Sequence, residues 1–368
     1  MKEIIRFLSS VLYYVEERRY PLAVAFKRSL NLNRPRGVDS NLLFEYARQL
    51  LLSYYSLPQA RRTVRIKYWL ENKGNLNVSF PQWMEKKLGS LLDVNALKSS
   101  LKEKTVWIRV NLLKADIDKI IRELERYNVE FEIDKDLYYM IKVKEPQIRL
   151  SSLDIVKECR IIPQDKASSL VVEALRPQIK ERLVELSSAP GIKASLYMML
   201  TENKNEVFLA DIDFNRISKE MILLKRCGVD MNKVHIVHQD SVRNSLIKAD
   251  KVLLDAPCSS SGMINNDPSI LITLNSCEKV DKFSKLQKTL LREAVNMKAS
   301  DVVYSVCSLF PEEGEEIIDE YYEIAERPFD NYNYGYPNFR SSFKSNRVFP
   351  HIDFTEGFFI SRLKLTRL

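Results

Sequence analysis

The sequence predicts an α/β protein with a mainly parallel sheet, preceded by a small α+β segment and an all-α N-terminal segment. Apolar residues repeat at three- and four-residue spacing through residues 1–70, which is typical of amphipathic helices. A strand, an amphipathic helix and two short strands follow between residues 107 and 143. From about residue 160 onward, apolar strands alternate with helices. This alternation favours a parallel sheet that helices cover on both faces.

Each predicted element rests on its own stretch of sequence. The N-terminal helices are IIRFLSSVLYYVEE, PLAVAFKRSL and NLLFEYARQLLLSYYSL, and the polar stretch ENKGNLNVSF after them is typical of a linker. The middle segment contains the strand WIRVNLL, the helix ADIDKIIRELERY and the strands VEFEI and YYMIKV. The strands of the C-terminal segment are ERLVELS, EVFLADI, KVHIVHQ, KVLLDAP, DVVYSVCS and GFFISRLKL. We place the three predicted domains at residues 1–72, 73–158 and 159–368.

The composition excludes several classes of protein. The 368 residues are 45% hydrophobic and 29% charged, with only 9 Gly and 14 Pro, unlike a collagen-like or disordered chain. No apolar run approaches the ~18 residues of a membrane helix, and charges interrupt the N-terminus too often for a secretory signal. The five cysteines are widely spaced without a CxxC pair, so we expect neither a disulfide framework nor a zinc site. We therefore expect a soluble cytoplasmic protein that binds no membrane and no metal.

Positive charge is concentrated near the N-terminus. Lys plus Arg number 57 and Asp plus Glu number 49, which gives a net charge of +8. Residues 1–70 contain 13 basic and 5 acidic residues, so they carry the whole surplus. Such an excess predicts a polyanionic partner for this segment. The alternative is a solvated, lysine- and arginine-rich helical face without a partner.

Unusual residues follow the apolar strands of the C-terminal segment. The first of these strands leads into SSAPGIKAS (187–195), a small-residue turn whose backbone N–H groups can approach a ligand. Asp211, Asp240 and Asp255 end three further strands. A single aspartate in such a position is usually a helix cap, but three in one sheet favour a ligand site. We expect Asp211 to bind ribose hydroxyls and Asp240 an adenine amino group, and carboxylates suit the sulfonium of S-adenosylmethionine.

Two of the cysteines also follow strands. Cys258 lies in DAPCSSSG and Cys307, 49 residues later, in YSVCSLFPEEGEE. A thiol that begins a helix-leading turn is close to N–H groups that favour the thiolate. The three histidines, at positions 235, 238 and 351, are unsuited to a protease-like pair. The two thiols therefore predict methyl transfer through a covalent adduct, whereas we expect Cys159, Cys227 and Cys277 to be small buried hydrophobic residues.

These motifs resemble those of the RsmB/Sun family of RNA cytosine-C5 methyltransferases. The resemblance is carried by SSAPGIK, DAPCSSSG and YSVCSLFPEEGEE, and by the flanking segments SFPQWMEKKL, RVNLLKADIDKIIRELE, IIPQDKAS and VFPHIDFTEGFFISRLKL. It covers roughly residues 80–368, and residues 1–70 resemble a NusB-like helical RNA-binding domain. It implies a Rossmann-like class I methyltransferase domain with a seven-stranded sheet, preceded by an RRM-like subdomain. It also implies that S-adenosylmethionine is the cofactor and that rRNA or tRNA is the substrate, which is methylated to 5-methylcytosine. We expect the chain to be a monomer without an obligate protein partner.

The resemblance also implies the roles of individual residues. It makes Cys307 the nucleophile that attacks cytosine C6, and Cys258 the thiol that helps to release the product. Asp255 would bind the N3–N4 edge of cytosine, and Lys193 would lie close to the cofactor or to this aspartate. The implied cofactor-binding residues are Ser188, Ala189, Pro190, Gly191, Lys193, Asp211, Arg216, Asp240 and Asp255.

The sequence departs from the family pattern at several positions. Ile192 stands where a second Gly is usual, Val306 where Thr is common, and Gly314 where Asn is common. Ser187 and Ser188 replace a frequent Cys-Ala pair. We interpret these changes as drift that is compatible with activity.

Three alternatives stay open at this point. DNA cytosine methyltransferases take their nucleophile from a Pro-Cys turn like Pro257-Cys258, which would exchange the roles of the two thiols. A catalytically idle RNA-binding or ribosome-assembly factor could keep the same fold. A small-molecule methyltransferase would leave the basic N-terminus and the flanking segments unexplained.

Overall fold

The computed structural model describes residues 1–144, 150 and 153–365. The chain divides into two compact units that are each built from separate stretches of sequence. The first, here called the helical unit, comprises residues 1–104, 259–279 and 350–354. The second, the sheet unit, comprises the described residues of 105–258, 280–349 and 355–368. The three contiguous domains expected from the sequence stay a prediction.

Helices and strands follow one another along both units. In chain order, the α-helices of the described residues are α1 (Lys2–Glu16), α2 (Leu22–Asn33), α3 (Ser40–Leu52), α4 (Arg62–Asn72), α5 (Gln82–Gly89), α6 (Val94–Ser100), α7 (Ile117–Arg126), α8 (Asp154–Lys157), α9 (Lys166–Glu173), α10 (Ile192–Leu200), α11 (Phe214–Arg226), α12 (Ile270–Thr273), α13 (Glu278–Val295), α14 (Glu315–Ile318) and α15 (Pro350–Asp353). The strands are β1 (Val106–Val110), β2 (Glu130–Ile133), β3 (Met140–Lys144), β4 (Ile161–Pro163), β5 (Arg182–Leu186), β6 (Glu206–Asp211), β7 (Val234–His238), β8 (Lys251–Asp255), β9 (Asp301–Val306), β10 (Ala325–Glu326), β11 (Asn333–Tyr334), β12 (Asn346–Val348) and β13 (Phe358–Lys364). No helix of the described residues has both the length and the apolar content needed to cross a membrane.

The predicted N-terminal helices form the core of the helical unit. Helix α1 buries Phe7, Leu8, Val11, Leu12 and Val15, whose spacing places them on one face. They pack against α2 and α4, and the ring of Phe7 meets that of a phenylalanine of α2 edge to face. The helical prediction for residues 1–70 is confirmed.

A segment from the second half of the chain completes this unit. Ile272 of α12 lies in the core formed by α1 to α4. The backbone N–H of Leu22 donates to Asp267 Oδ1 at 3.0 Å. The guanidinium of Arg48 is buried and donates to Asn265 Oδ1 and to the carbonyl oxygen of Leu101, both at 2.6 Å. Arg48, one of the thirteen N-terminal basic residues, is therefore a structural residue.

The smaller sheet of the sheet unit is antiparallel, with strand order β2-β3-β1-β4. Ile108 of β1 lies opposite Ile141 of β3, and both face Ile120 and Leu124 of α7 in one core. The predicted strand, helix and pair of short strands are confirmed. Their likeness to an RRM stays a prediction.

The larger sheet has strand order β11-β12-β13-β9-β8-β5-β6-β7, and β10 pairs with β13. The strands from β9 to β7 are parallel, whereas β13 and its other neighbours are antiparallel. All six predicted strands are present. Among the described residues, however, this sheet has nine strands and not the expected seven. The three strands that were not predicted, β10, β11 and β12, have only two or three residues each. Such strands are too short to produce an apolar periodicity.

The expectations for the structural cysteines need correction. Cys159 and Cys227 are buried as predicted, but a disulfide joins them, with Cα atoms 5.1 Å apart. The side-chain amide of Asn111 donates to the carbonyl oxygens of both cysteines at 2.8 Å. They are 68 residues apart in the sequence, so only the tertiary structure brings them together. Cys277 is exposed in a polar stretch, and the expectation that it is buried is wrong.

Candidate active site

The strand order of the larger sheet brings the predicted site residues to one edge. Strands β6, β5, β8 and β9 are neighbours and run parallel, so their carboxyl ends meet. Residues 187–191, here called the cofactor turn, follow β5. Asp211 and Asp255 end β6 and β8, and Cys307 follows β9 directly.

The two thiols of the motifs lie side by side. The Sγ atoms of Cys258 and Cys307 are 3.1 Å apart, and both side chains are partly buried. Gln287 of α13 is buried and holds the two thiol-bearing turns together. Its amide donates to the carbonyl oxygen of Pro257 at 2.8 Å and to Glu313 Oε1 at 3.0 Å. The structure thus places the two thiols next to each other, and their shared function stays a prediction.

An ion pair between Lys193 and Asp255 lies at the carboxyl end of β8. Lys193 Nζ donates to Asp255 Oδ2 at 2.5 Å, and the hydroxyl of Ser305 donates to Asp255 Oδ1 at 2.7 Å. Burial lowers the pKa of Lys193, but Asp255, Glu185 and Cys307 raise it more, so the net pKa lies above its usual value. The Lys193 ammonium therefore stays charged beside the thiols at neutral pH.

The cofactor turn is fastened to the end of β6. The backbone N–H of Ala189 donates to Asp211 Oδ2 at 3.2 Å, and the guanidinium of Arg216 donates to the carbonyl oxygen of Ala189. The same guanidinium lies 3.4 Å from the Asp211 carboxylate. Gly191 adopts a φ of 89°, a conformation that favours glycine. Pro190, between these residues, is exposed.

The three aspartates that were predicted at strand ends differ in what they contact, and Asp240 lies two residues beyond the end of β7. Asp211 is buried, and the cap of α11 is Asp213, which accepts hydrogen bonds from the first N–H groups of the helix. Asp240 is exposed and caps a short 3₁₀ turn, accepting from the N–H of Val242 at 3.1 Å. Asp255 binds side chains and caps no helix of the described residues. The capping alternative thus describes the observed contact of Asp240 and not those of Asp211 or Asp255.

The family model described as 16S rRNA methyltransferase RsmB/F matches residues 172–364, more than half of the chain. The chain belongs to the RsmB/F family. The resemblance inferred from the motifs is thereby confirmed, and the match contains all of the predicted site residues.

The chain is also similar to curated RNA methyltransferases. The 25S rRNA (cytosine-C(5))-methyltransferase nop2 of Schizosaccharomyces pombe is 32% identical over 281 residues, or 70% of this chain and 46% of that protein. The tRNA (cytosine(72)-C(5))-methyltransferase of Pyrococcus horikoshii is 28% identical over 233 residues, or 61% of this chain and 58% of that protein. The chain spans about half the length of these relatives.

Solved structures share the fold. The crystal structure of PH0851 has a TM-score of 0.82 at 22% identity and covers 99% of both chains. The crystal structure of NSun6 from Pyrococcus horikoshii with SFG has a TM-score of 0.69 at 22% identity, and covers 77% of this chain and 98% of that one. The expected α/β Rossmann-like methyltransferase fold is confirmed.

Two departures from the RsmB/F pattern have local explanations. Ile192 packs with Leu223 against the disulfide-linked cysteines, so its side chain covers apolar surface. A Cβ on Gly314 would lie 2.8 Å from the ring of Phe359 and 3.0 Å from the guanidinium of Arg347. This backbone therefore has no room for the larger residue that is common in the family. Val306, the third departure, is fully buried at the end of β9.

Two buried carboxyl groups near the cofactor turn were not predicted from the sequence. Glu220 of α11 is fully buried and accepts a hydrogen bond from the Ser188 hydroxyl at 3.0 Å. Burial raises the pKa of Glu185 on β5 well above its usual value, and Glu220 raises it further. The only sequence signal was an acidic residue inside the apolar strand ERLVELS and another on a helix face of mixed polarity. Within the described residues, no group of three or more histidine, cysteine, aspartate or glutamate side chains could hold a metal ion.

Proposed function

We propose that this protein methylates cytosine C5 in rRNA or tRNA, with S-adenosylmethionine as the methyl donor and Cys307 as the nucleophile. The observation that carries the proposal is the pair of thiols 3.1 Å apart beside the Lys193–Asp255 ion pair, in a chain of the RsmB/F family. One of the two curated relatives is named as an rRNA cytosine-C5 methyltransferase and the other as a tRNA cytosine-C5 methyltransferase. Their names support the proposed reaction, and the proposed substrate therefore includes both classes of RNA.

The residues around the cofactor turn fit S-adenosylmethionine. When bound, this cofactor supplies a methyl group on a positively charged sulfur. The carboxylates of Asp211 and Asp255 provide negative charge at the strand ends, and the buried Asp211 accepts hydrogen bonds from the backbone N–H groups of Ala189 and Asp213. We propose that Asp211 accepts from the ribose hydroxyls and that Asp240 binds the adenine amino group. The binding of SFG, an analogue of S-adenosylmethionine, by the structurally similar NSun6 supports this choice of cofactor.

The proposed reaction uses the two thiols in sequence. Cytosine C5 is a poor nucleophile, so the Cys307 thiolate adds to C6 and the electron pair of the C5–C6 bond moves toward C5. C5 would then form its bond to the methyl carbon while the bond between that carbon and the sulfonium sulfur breaks, which leaves neutral S-adenosylhomocysteine. A base then removes the C5 proton, and the bond between C6 and Cys307 breaks to restore the C5–C6 double bond. Cys258 lies within reach of this bond and assists its cleavage. The target base must leave its stack to reach these atoms.

Asp255 and Lys193 stabilise the substrate during the attack. Each oxygen of the Asp255 carboxylate already accepts one hydrogen bond, from Lys193 or from Ser305, and a carboxylate oxygen has room for a second. The remaining positions accept from the N4 amino group and from a protonated N3 of cytosine. Lys193 and Ser305 hold the carboxylate in one orientation, which is what a preorganised site requires.

Substitution of each thiol tests the assignment of roles. Cys307→Ala should abolish both methylation and the covalent complex with RNA, because no thiolate adds to C6. Cys258→Ala should retain adduct formation and accumulate a slowly resolved RNA–protein complex on a denaturing gel. Cys277→Ala, at an exposed cysteine, is the matched control and should behave like the wild type. A complex that forms with Cys307→Ala and not with Cys258→Ala would exchange the two roles.

The substrate itself is found by mapping the methylated base. Bisulfite sequencing of total RNA from a strain without the gene should show one or a few cytosines that have lost their methyl group. The purified protein with S-adenosylmethionine should restore methylation at the same positions in that RNA. If neither experiment changed any cytosine in rRNA or tRNA, the proposed substrate class would be wrong. Cytoplasmic location and a monomeric state stay predictions.

A further inference from the structure

The carboxyl group of Glu220 lies directly against the cofactor turn. Its Oε2 accepts from the hydroxyl of Ser188 at 3.0 Å. A Cβ built on Gly191 would lie 2.8 Å from Glu220 Cγ and 3.1 Å from its Oε1, so only glycine leaves space for this side chain. Oε1 is buried and has no hydrogen-bond partner among the described residues. The turn and this carboxyl group are therefore built against each other.

Glu220 lies among charged groups from three elements. Asp211 from β6 is a negative neighbour and Arg216 from α11 is a positive one, and Glu185 from β5 is a nearby carboxyl group whose own pKa burial raises well above its usual value. Lys193 from α10 acts on Glu185. Burial raises the pKa of Glu220 to about 7, and Asp211 adds to the shift, while the Ser188 hydrogen bond and Arg216 oppose it. Without a further positive charge, this carboxyl group is only partly ionised near neutral pH.

We propose that Glu220 is a positioning residue of the cofactor turn and that binding of a cationic cofactor there drives its ionisation, so that binding releases a proton. This inference rests on the proposed use of S-adenosylmethionine. Glu220 acts through Ser188 and Gly191, which it contacts, and its charge complements the sulfonium of the cofactor. The product S-adenosylhomocysteine has a neutral sulfur, so its binding should release less of this proton.

The direction of the pH dependence follows from linkage. Below pH 7 the free protein holds a proton on Glu220 that the cationic cofactor must displace, and this weakens binding. Above pH 7 the proton has already left, and the affinity becomes constant. If the bound state keeps Glu220 fully ionised, affinity for S-adenosylmethionine should rise by up to about tenfold between pH 6 and pH 8.

Titration calorimetry of the full-length protein with S-adenosylmethionine tests this. It should be run at pH 6 and pH 8 in two buffers of different ionisation enthalpy, so that proton release is measured directly. The wild type should release close to one proton at pH 6 beyond that released by Glu220→Gln, whose amide keeps an acceptor for Ser188 but cannot ionise. Glu220→Gln should also lack the wild-type rise in affinity. Glu173→Gln, at another glutamate whose pKa burial raises, is the control and should keep the wild-type profile.

The outcomes separate this inference from the proposed function. Binding with the same proton release in the wild type and in Glu220→Gln would overturn the role of Glu220 and leave the methyltransferase proposal standing. Absence of binding at both pH values would overturn the choice of cofactor, and this inference with it. Should Glu220→Gln fail to fold, the wild type still decides. Proton release at pH 6 no greater for S-adenosylmethionine than for S-adenosylhomocysteine would contradict the proposal.

Discussion

Asp211 and Asp213 are two residues apart in the sequence and have different structural roles. Asp213 accepts hydrogen bonds from the N–H groups of Asn215 and Arg216 in the first turn of α11. Asp211 is buried at the end of β6 and is held by the N–H groups of Ala189 and Asp213. From the sequence, both are aspartates that precede a helix. Their contacts separate the helix cap from the residue that faces the cofactor turn.

Substitution of these two aspartates should change two different properties, cofactor affinity for Asp211 and stability for Asp213. Asp211→Ala removes the proposed ribose acceptor and should weaken S-adenosylmethionine binding by ~1–3 kcal/mol, measured by calorimetry. Asp213→Ala removes a helix cap and should cost ~1 kcal/mol in the free energy of unfolding, with little change in cofactor affinity. Unchanged affinity in Asp211→Ala would place this residue outside the cofactor site.

At the scale of elements, the segment 259–279 belongs to the helical unit although its neighbours in the sequence belong to the sheet unit. It begins directly after Cys258, within the motif DAPCSSSG, yet its helix α12 packs in the core of the helical unit. Arg48 of α3 fixes this segment through Asn265, and burial lowers the pKa of its guanidinium although Glu45 raises it. A buried arginine with several acceptors is costly to remove, because the acceptors lose their donors.

The structural role of Arg48 predicts a large effect on stability. Arg48→Ala should lower the free energy of unfolding by ~3–5 kcal/mol, because buried oxygen atoms of Asn265 and Leu101 lose their donor. Arg34→Ala, at an exposed arginine that also lies within residues 1–70, should change the free energy of unfolding by less than ~0.5 kcal/mol. Denaturant unfolding of both variants measures the difference. Equal effects would mean that the Arg48 contacts contribute nothing to stability.

At the scale of the whole molecule, part of the N-terminal positive charge is used inside the helical unit and part of it is exposed. Arg62 and Arg65 form ion pairs with Glu16, and Arg48 is buried, so part of the surplus is used inside the helical unit. A second group is exposed on and after α2: Lys27, Arg28, Arg34 and Arg36. Residues 18–38 contain no acidic residue. We propose that this exposed group binds RNA phosphates.

Neutralising part of this group tests the proposal on the intact protein. The triple variant Lys27→Gln, Arg28→Gln, Arg34→Gln should lower the slope of log affinity for RNA against log salt by roughly 2–3, since each phosphate contact contributes about 0.7–0.9. Binding of S-adenosylmethionine should not change. The matched control is Lys282→Gln, Lys285→Gln, Arg292→Gln on the exposed face of α13. A larger loss of slope in the control would place the main RNA surface on α13.

Much of this protein could be predicted from the sequence because its signals are local. Periodicity predicted the first helices and the six long strands, and the residues that follow those strands predicted a shared site. Parallel strands necessarily bring their carboxyl ends to one edge, so Asp255, Cys258 and Cys307 could be placed near one another before any contact was known.

The tertiary structure alone decided what depends on contacts between distant residues. No pattern in the sequence marks the disulfide between Cys159 and Cys227, or the joining of segment 259–279 to the helical unit. Nor does any pattern show that Glu220 lies against Gly191 or that Arg48 is buried. The physical reason is that burial and pairing are properties of the packed chain, whereas periodicity and motifs record only the local preferences of neighbouring residues.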